Sequence, residues 1–230
     1  MEGVYFGDKH SFKDYKLILS SFNNPLPLPK TYYIDVPGRN GTLDLSEHIS
    51  SIRYERRTLT FRFASCVGEA MRYIQQSKIL NEIHGKEMKI ILDADKNYYY
   101  IGRINAKEWE MERDVAYLTI EVVAEPFKYD VLSSLDDWLW DSFSFVNGVI
   151  RQYKDLSIQG RREIVIPGSA IGVVPIITAD SQMSVSFKGN TYSIGIGENK
   201  IYDIYLEDAE SVLTFVGDGV VSIEYRGGSL

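Results

Sequence analysis

Between Asn23 and Leu45 the chain commits to an excursion that no β-core can absorb. Proline at every second position, Pro25, Pro27 and Pro29, removes ladder donors and fixes φ, which rules out a central strand and sets Leu26 and Leu28 on one side. The segment Tyr32 to Val36 is aromatic and β-branched. It runs into Pro37-Gly38-Arg39-Asn40-Gly41, residues that supply a fixed φ and positive φ, before Leu43 and Leu45 resume alternation. That order predicts an extended arm ending in a hairpin tip. Ordering Phe22 to Thr31 costs about 10 kcal/mol at about 1 kcal/mol per residue, while burying Phe22, Leu26 and Leu28 returns about 2 kcal/mol each. An arm of this kind calls for a second surface, and a neighbouring subunit is the natural one.

Around the arm the periodicity is that of strands. Val4-Tyr5-Phe6 precedes Gly7-Asp8, and Tyr15 to Phe22 alternates on both sides. In Ile52 to Phe63 the apolar parity changes from Ile52 and Tyr54 to Leu59, Phe61 and Phe63, so a turn or bulge is expected near Glu55 to Arg57. Ser65 is placed to cap a helix from Cys66 to His84, with Val67, Ala70, Met71, Ile74, Ile79 and Ile83 as its apolar face and Gly85 as its stop. A hairpin over Asp93-Ala94-Asp95-Lys96-Asn97 follows, then a strand with Ala116, Leu118, Ile120, Val122 and Ala124 on one face. Past Asp130 the pattern is all β, with tight turns expected at Gly189-Asn190 and Gly217-Asp218-Gly219. The chain has 230 residues and 26.3 kDa, enough for two cores. The expected organisation is therefore mainly β with one α-helix: domain 1–130, a split β-barrel or sandwich carrying the helix and arm, and domain 131–230, a β-sandwich.

Chemistry is harder to find. Net charge is −7 and the pI is about 5.1, which argues against a nucleic-acid-binding face. No apolar run reaches the roughly 18 residues of a membrane span, and the start lacks a signal-peptide pattern, so synthesis in the cytoplasm is expected. The lone Cys66 cannot form an internal disulfide, and at opposite ends of a helix it would stand about 27 Å from His84, too far to share a proton. His10 and His48 show no metal-site spacing. Asp93-Ala94-Asp95-Lys96-Asn97 begins like a calcium loop but has Tyr98 at the sixth position and Ile104 at the twelfth. Asp136-Asp137 and Glu207-Asp208-Glu210 read as solvated acids rather than a glycosidase pair. Gly195-Ile196-Gly197 lacks a dinucleotide fingerprint, and Asn40-Gly41-Thr42 reads as a turn. Trp109, Trp138 and Trp140 could stack on sugars, and so a carbohydrate-binding module of a phage tail or cell surface is the alternative function. No catalytic residue, cofactor or metal is expected.

Several of these stretches, in this order, resemble the distal tail proteins of long-tailed phages: Gly3-Val4-Tyr5-Phe6, Pro25 to Lys30, Val36 to Leu45, Tyr54 to Arg57 and Tyr99 to Arg103. Arg162 to Ser169 and Ile223 to Leu230 match more loosely. The resemblance implies a structural virion protein, located at the tail tip and involved in host adsorption. Its first domain would close a homohexameric ring around a channel for DNA. The ring would join the major tail tube protein to a tail-tip hub or fibre protein. A galectin-like second domain would dock receptor-binding proteins. On this reading the subunit-interface candidates are Pro25, Leu26, Pro27, Leu28, Pro29, Pro37, Gly38, Arg39, Asn40 and Gly41.

Overall fold

The structure, a computed structural model, describes residues 2–49, 52–112, 115–136, 152–207 and 209–230. The chain divides into two compact units, Met1–Lys128 with Leu230, and Tyr129–Ser229. Trp138, Trp140, Asp137 and Asp208 lie outside the described residues.

In the first unit the strands are β1 (Val4–Phe6), β2 (Lys9–His10), β3 (Leu17–Asn23), β4 (Tyr33–Asp35) and β5 (Thr42–Asp44). A four-residue helix α1 (Ser46–Ile49) follows, then β6 (Arg57–Ser65), α2 (Glu69–Ile83), β7 (Glu87–Leu92), β8 (Asp95–Glu112) and β9 (Val115–Ala124). The main sheet runs β2-β1-β7-β8-β9-β6-β3, and β4-β5 form a separate two-stranded ribbon. β6 alternates because Leu59, Phe61 and Phe63, all 0 % exposed, point into the core while Thr58 faces out. Phe61 stacks on Phe22 at 4.7 Å between ring centroids and meets Phe6 edge-on at 5.9 Å. Thus Phe22, next to the proline segment, belongs to this subunit's own core margin.

α2 is shorter than the Cys66 to His84 span, and its face differs. Ser65 ends β6; the residue before the helix is Gly68, which has no side-chain cap. The buried row is Gln75, Ile79 and Ile83, whereas Met71 and Ile74 remain 53 % and 61 % exposed. Ile74 precedes Ile79 by five positions and so lies about 140° around the helix from it. Gln75 fixes the rotation: its amide donates to the Tyr15 carbonyl at 2.6 Å and accepts from the Ser65 hydroxyl at 2.7 Å. Tyr15 in turn donates to Glu82 at 2.8 Å, and burial together with that carboxylate pushes its phenol pKa well up.

The β7–β8 turn is tighter than a five-residue loop, because Leu92 already pairs with Asp95. Both acids of the loop have partners. Asp95 pairs with Lys128 at 2.7 Å. Asp93 accepts from His10 Nε2 at 3.0 Å and from the Gly3 N–H at 2.9 Å. The N–H groups of Phe12 and Lys13 both donate to His10 Nδ1, so the imidazole proton sits on Nε2 and points at Asp93. Burial opposes charge on Asp93, but the His10 and Gly3 bonds outweigh it and hold the carboxyl below its usual range.

The second unit begins within β10 (Lys128–Asp130). It continues through β11 (Leu156–Ile166), β12 (Ile176–Ala179), β13 (Met183–Phe187), β14 (Asn190–Ile194), β15 (Gly197–Lys200), β16 (Ser211–Glu224) and β17 (Gly228–Ser229). Its sheet runs β14-β13-β16-β12-β15, with β11 along β16. Two turns fall elsewhere than the glycine pairs suggest. The β13–β14 turn is Lys188-Gly189, both at positive φ, with Phe187 opposite Asn190. Gly217-Asp218-Gly219 does not reverse the chain; it lies within β16, with Gly217 opposite Gly160 and Gly219 opposite Ile158. Glycine is required at 217 because φ is 142° and a Cβ would stand 2.6 Å from the Met183 Cβ. Phe215, Val221 and Ile223, all 0 % exposed, fill the core on one side of β16.

Candidate subunit interface: the arm and its root

The arm leaves the sheet at the end of β3 and returns at the start of β6. This explains the parity change near Glu55 to Arg57: Tyr54 bridges Pro29, and regular pairing to β9 starts only at Arg57. At the root the Lys30 N–H donates to the Arg53 carbonyl at 2.7 Å and the Glu55 N–H to the Leu28 carbonyl at 2.8 Å. The proline segment is thus tied to the returning strand by backbone bonds that leave the proline positions out, since proline has no N–H to give.

Beyond the root, β4 and β5 pair from Tyr33 opposite Asp44 to Asp35 opposite Thr42. The tip between them turns through Gly38 and Gly41, at φ 83° and 76°, with the Arg39 N–H donating to the Val36 carbonyl at 3.1 Å. Ser46 closes the base. Its hydroxyl accepts from the Tyr32 N–H, and its N–H and hydroxyl both donate to Asp44. These bonds to Ser46 lower the Asp44 pKa.

The side chains on this scaffold face outward. Pro25, Leu26, Leu28, Pro29, Pro37, Gly38, Arg39, Asn40 and Gly41 are exposed, and Pro27 is buried within its own subunit. The alternation of the proline segment therefore turns Pro27 inward and presents the leucines, Leu26 at 81 % exposure and Leu28 at 70 %. Tyr32, Tyr33, Ile34 and Ile52 add further exposed apolar side chains, none of them among the ten interface candidates expected from the sequence. Among the described residues nothing covers this apolar series. Its signal was present in the sequence as Tyr32-Tyr33-Ile34. It reads as an ordinary strand until the ribbon is seen to have no sheet behind it.

Beneath the arm's root lies a buried cation. Arg57 is 5 % exposed, and its Nε and Nη2 are sealed from solvent without a hydrogen-bond partner. The guanidinium sits 4.9 Å from the Tyr100 ring centroid, and the Tyr100 hydroxyl accepts from Asn24 at 3.2 Å. Burial lowers the Arg57 pKa, against a smaller opposing effect of Tyr100.

A cleft of about 110 Å³ lies between α2 and β8–β9, lined by Ile79, Leu80, Ala106, Trp109 and Leu118 among others. Trp109 is partly buried against the core cluster rather than displayed. Among the described residues no group of three or more His, Cys, Asp or Glu could hold a metal ion, and no helix is long and apolar enough to cross a membrane.

No protein-family model matches the sequence, and no curated protein matches it. Solved structures do. The crystal structure of the Dit protein (gp 19.1) of phage SPP1, described as a paradigm of the hub adsorption apparatus in phages infecting Gram-positive bacteria, is similar over 100 % of both chains, with a TM-score of 0.62 at 9 % identity. A chain of the phage p2 baseplate in its activated conformation with Sr is similar over 98 % of both chains, with a TM-score of 0.42 at 9 % identity. The likeness to SPP1 Dit shows the fold. The mainly β architecture expected from the sequence is the architecture this chain has, with a second, four-residue helix, Ser46–Ile49, beside the single one expected.

Proposed function

We propose that this chain is a distal tail protein: a structural component of a phage tail tip that closes a homohexameric ring, links the tail tube to the baseplate or tip, and leaves a central channel for DNA. The observation that carries this reading is the arm, whose Leu26, Leu28, Tyr33 and Ile34 stay exposed among the described residues. A ring needs a heterologous contact in which one patch meets a different patch on the next copy. A projecting arm supplies one half of such a contact, and the body of the first unit supplies the other. The Dit-like fold supports the same role.

In this role the protein turns nothing over. The ring is a passive adaptor matching the tube protein on one side to a tail-tip hub or fibre protein on the other, with the second unit available to receptor-binding proteins. The acidic balance of −7 suits a lumen wall past which DNA slides without adhering, because like charge keeps the polymer off the surface.

Sedimentation velocity of the full chain over a concentration series tests the proposal. Six copies of the 26.3 kDa chain give a closed particle of about 158 kDa. A protein that stays monomeric at high concentration, together with normal tails from phage lacking it, would overturn the reading. Antibody labelling confined to the tail tip in electron micrographs is the expected location.

A further inference from the structure

Proline-stiffened segments dock on a particular kind of surface. They lose little conformational entropy when held and lay their side chains into grooves walled by aromatic residues. The arm offers such a segment: Leu26 and Leu28 are 81 % and 70 % exposed, while Pro27 between them is buried. Lys30 is the only charged residue from Asn23 to Thr31. It is exposed, and its ammonium makes no hydrogen bond or ion pair among the described residues. By the two-residue period of an extended chain, Leu26, Leu28 and Lys30 share one side.

The body of the same unit holds a surface of matching chemistry. The cleft between α2 and β8–β9 is walled by Ile79, Leu80, Ala106, Trp109 and Leu118, and Glu108 is the one carboxylate that lines it. At about 110 Å³ it has room for one aliphatic side chain, since a cavity of ~150 Å³ holds a benzene ring. Trp109 is half-buried there, and Tyr73, 79 % exposed, lies seven positions before Leu80 on the same side of α2. Lys107 on the rim is already paired with Glu121 at 3.2 Å. Glu108 is exposed and has no such partner among the described residues.

The segment is out of reach of its own cleft. Backbone bonds from Lys30 to Arg53 and from Glu55 to Leu28 tie it to the arm's root, where Arg57 of β6 stands opposite Ala124 of β9. The cleft lies by Leu118, opposite Phe63, six positions or about 20 Å further along β9. Two complementary patches toward opposite ends of the same strands join head to tail, as a heterologous contact does. We propose that the α2/β8–β9 cleft receives the proline segment of a second copy of this chain, with Leu28 in the cleft and Lys30 meeting Glu108. This inference rests on the ring reading and names its contact. The leucines supply the buried area, and the charge pair on the rim sets the register.

The test compares full-length forms by sedimentation velocity over a concentration series, with thermal midpoints taken at a dilution where all are monomeric. Leu80→Lys, which sets a charge in the apolar wall, is expected to weaken association about 10-fold or more, and Lys30→Glu and Glu108→Lys, which each bring like charges together, about 5-fold or more. Joining Lys30→Glu with Glu108→Lys should return association to within about 3-fold of the wild type, because the exchanged pair attracts again. A mixture of the Leu26→Ser/Leu28→Ser form with Leu80→Lys should give a two-copy particle that neither gives alone, since it holds one intact arm and one intact cleft. Should Leu80→Lys fail to fold, the exposed changes Lys30→Glu and Glu108→Lys still decide the matter. Undiminished association in Leu80→Lys and Glu108→Lys, while Leu26→Ser/Leu28→Ser weakens it, would send the arm to another surface and overturn this contact with the ring intact. An exchanged pair no stronger than either single form would overturn it as well. So would a monomer midpoint lowered by Leu26→Ser/Leu28→Ser, which would make the leucines' cover part of their own chain. A wild type that never associates brings down the ring reading and this contact together.

Discussion

Strand β6 and the arm are made of the same kinds of residue, yet Phe61 and Phe63 are 0 % exposed while Leu26 and Leu28 keep 81 % and 70 % of their surface. The difference lies in what stands behind each. β6 is paired on both edges, to β3 and β9, so its inward side chains meet those of neighbouring strands at core density. Among the described residues the β4–β5 ribbon pairs with no further strand and its β4 side chains stay exposed, and a lone two-stranded ribbon is marginal in water. Hydrophobicity sets a demand for burial; topology decides whether the same chain can meet it.

On that contrast, interior substitutions move folding and leave association per folded molecule alone, and arm substitutions do the reverse. The largest effect is expected at Phe61, fully buried among Phe6, Phe22 and Phe63: Phe61→Ala should lose about 4 kcal/mol in urea unfolding. Next is the joint change Leu26→Ser and Leu28→Ser. It should leave monomer stability within about 0.5 kcal/mol and weaken association by about 3 kcal/mol, read by sedimentation, since each leucine contributes up to about 2 kcal/mol when covered. A comparable loss of monomer stability would break the contrast, because it would mean that the arm is part of the fold. In the second unit, Gly217→Ala forces a Cβ to within 2.6 Å of the Met183 Cβ at positive φ, and about 2 kcal/mol should be lost in chemical unfolding with association unchanged.

The smallest effect is a pH dependence. Asp93 has its folded pKa lowered by the His10 and Gly3 hydrogen bonds despite burial. Its contribution is therefore present above the unfolded value near 3.8 and is lost as pH falls through the lower folded value. Asp93→Asn should cost about 1 kcal/mol at neutral pH and flatten the acid limb of a stability–pH curve below about pH 4. An unchanged acid limb would show that the His10–Asp93 pair does nothing for folding.

How far these features can be read from the residues varies with the range over which each is decided. The strand alternations of Leu59 to Phe63 and Ala116 to Ala124 are local and legible, because period two with one buried face is visible in any window. The arm is legible for a different reason: Pro25, Pro27 and Pro29 exclude a central strand whatever the context. The helix face misleads because Met71 and Ile74 are apolar, yet the rotation is set by Gln75 reaching the Tyr15 carbonyl, 60 residues away in sequence. The glycines of β16 mislead because Gly217 and Gly219 look like turn residues, while their purpose is room for Met183 and Ser181. Arg57 was visible as part of a family-like motif, but nothing in Tyr54-Glu55-Arg56-Arg57 tells which arginine is buried.

From the sequence alone came the β-class, the excursion, and the placing of Leu26 and Leu28 on one side of it, all consequences of backbone chemistry that acts within a few residues: missing donors, permitted φ, and side-chain alternation. The tertiary structure decided which apolar residues find cover and which charge is left without a partner. Both are properties of what other strands place nearby, and burial and compensation are energies between distant segments that no local pattern encodes.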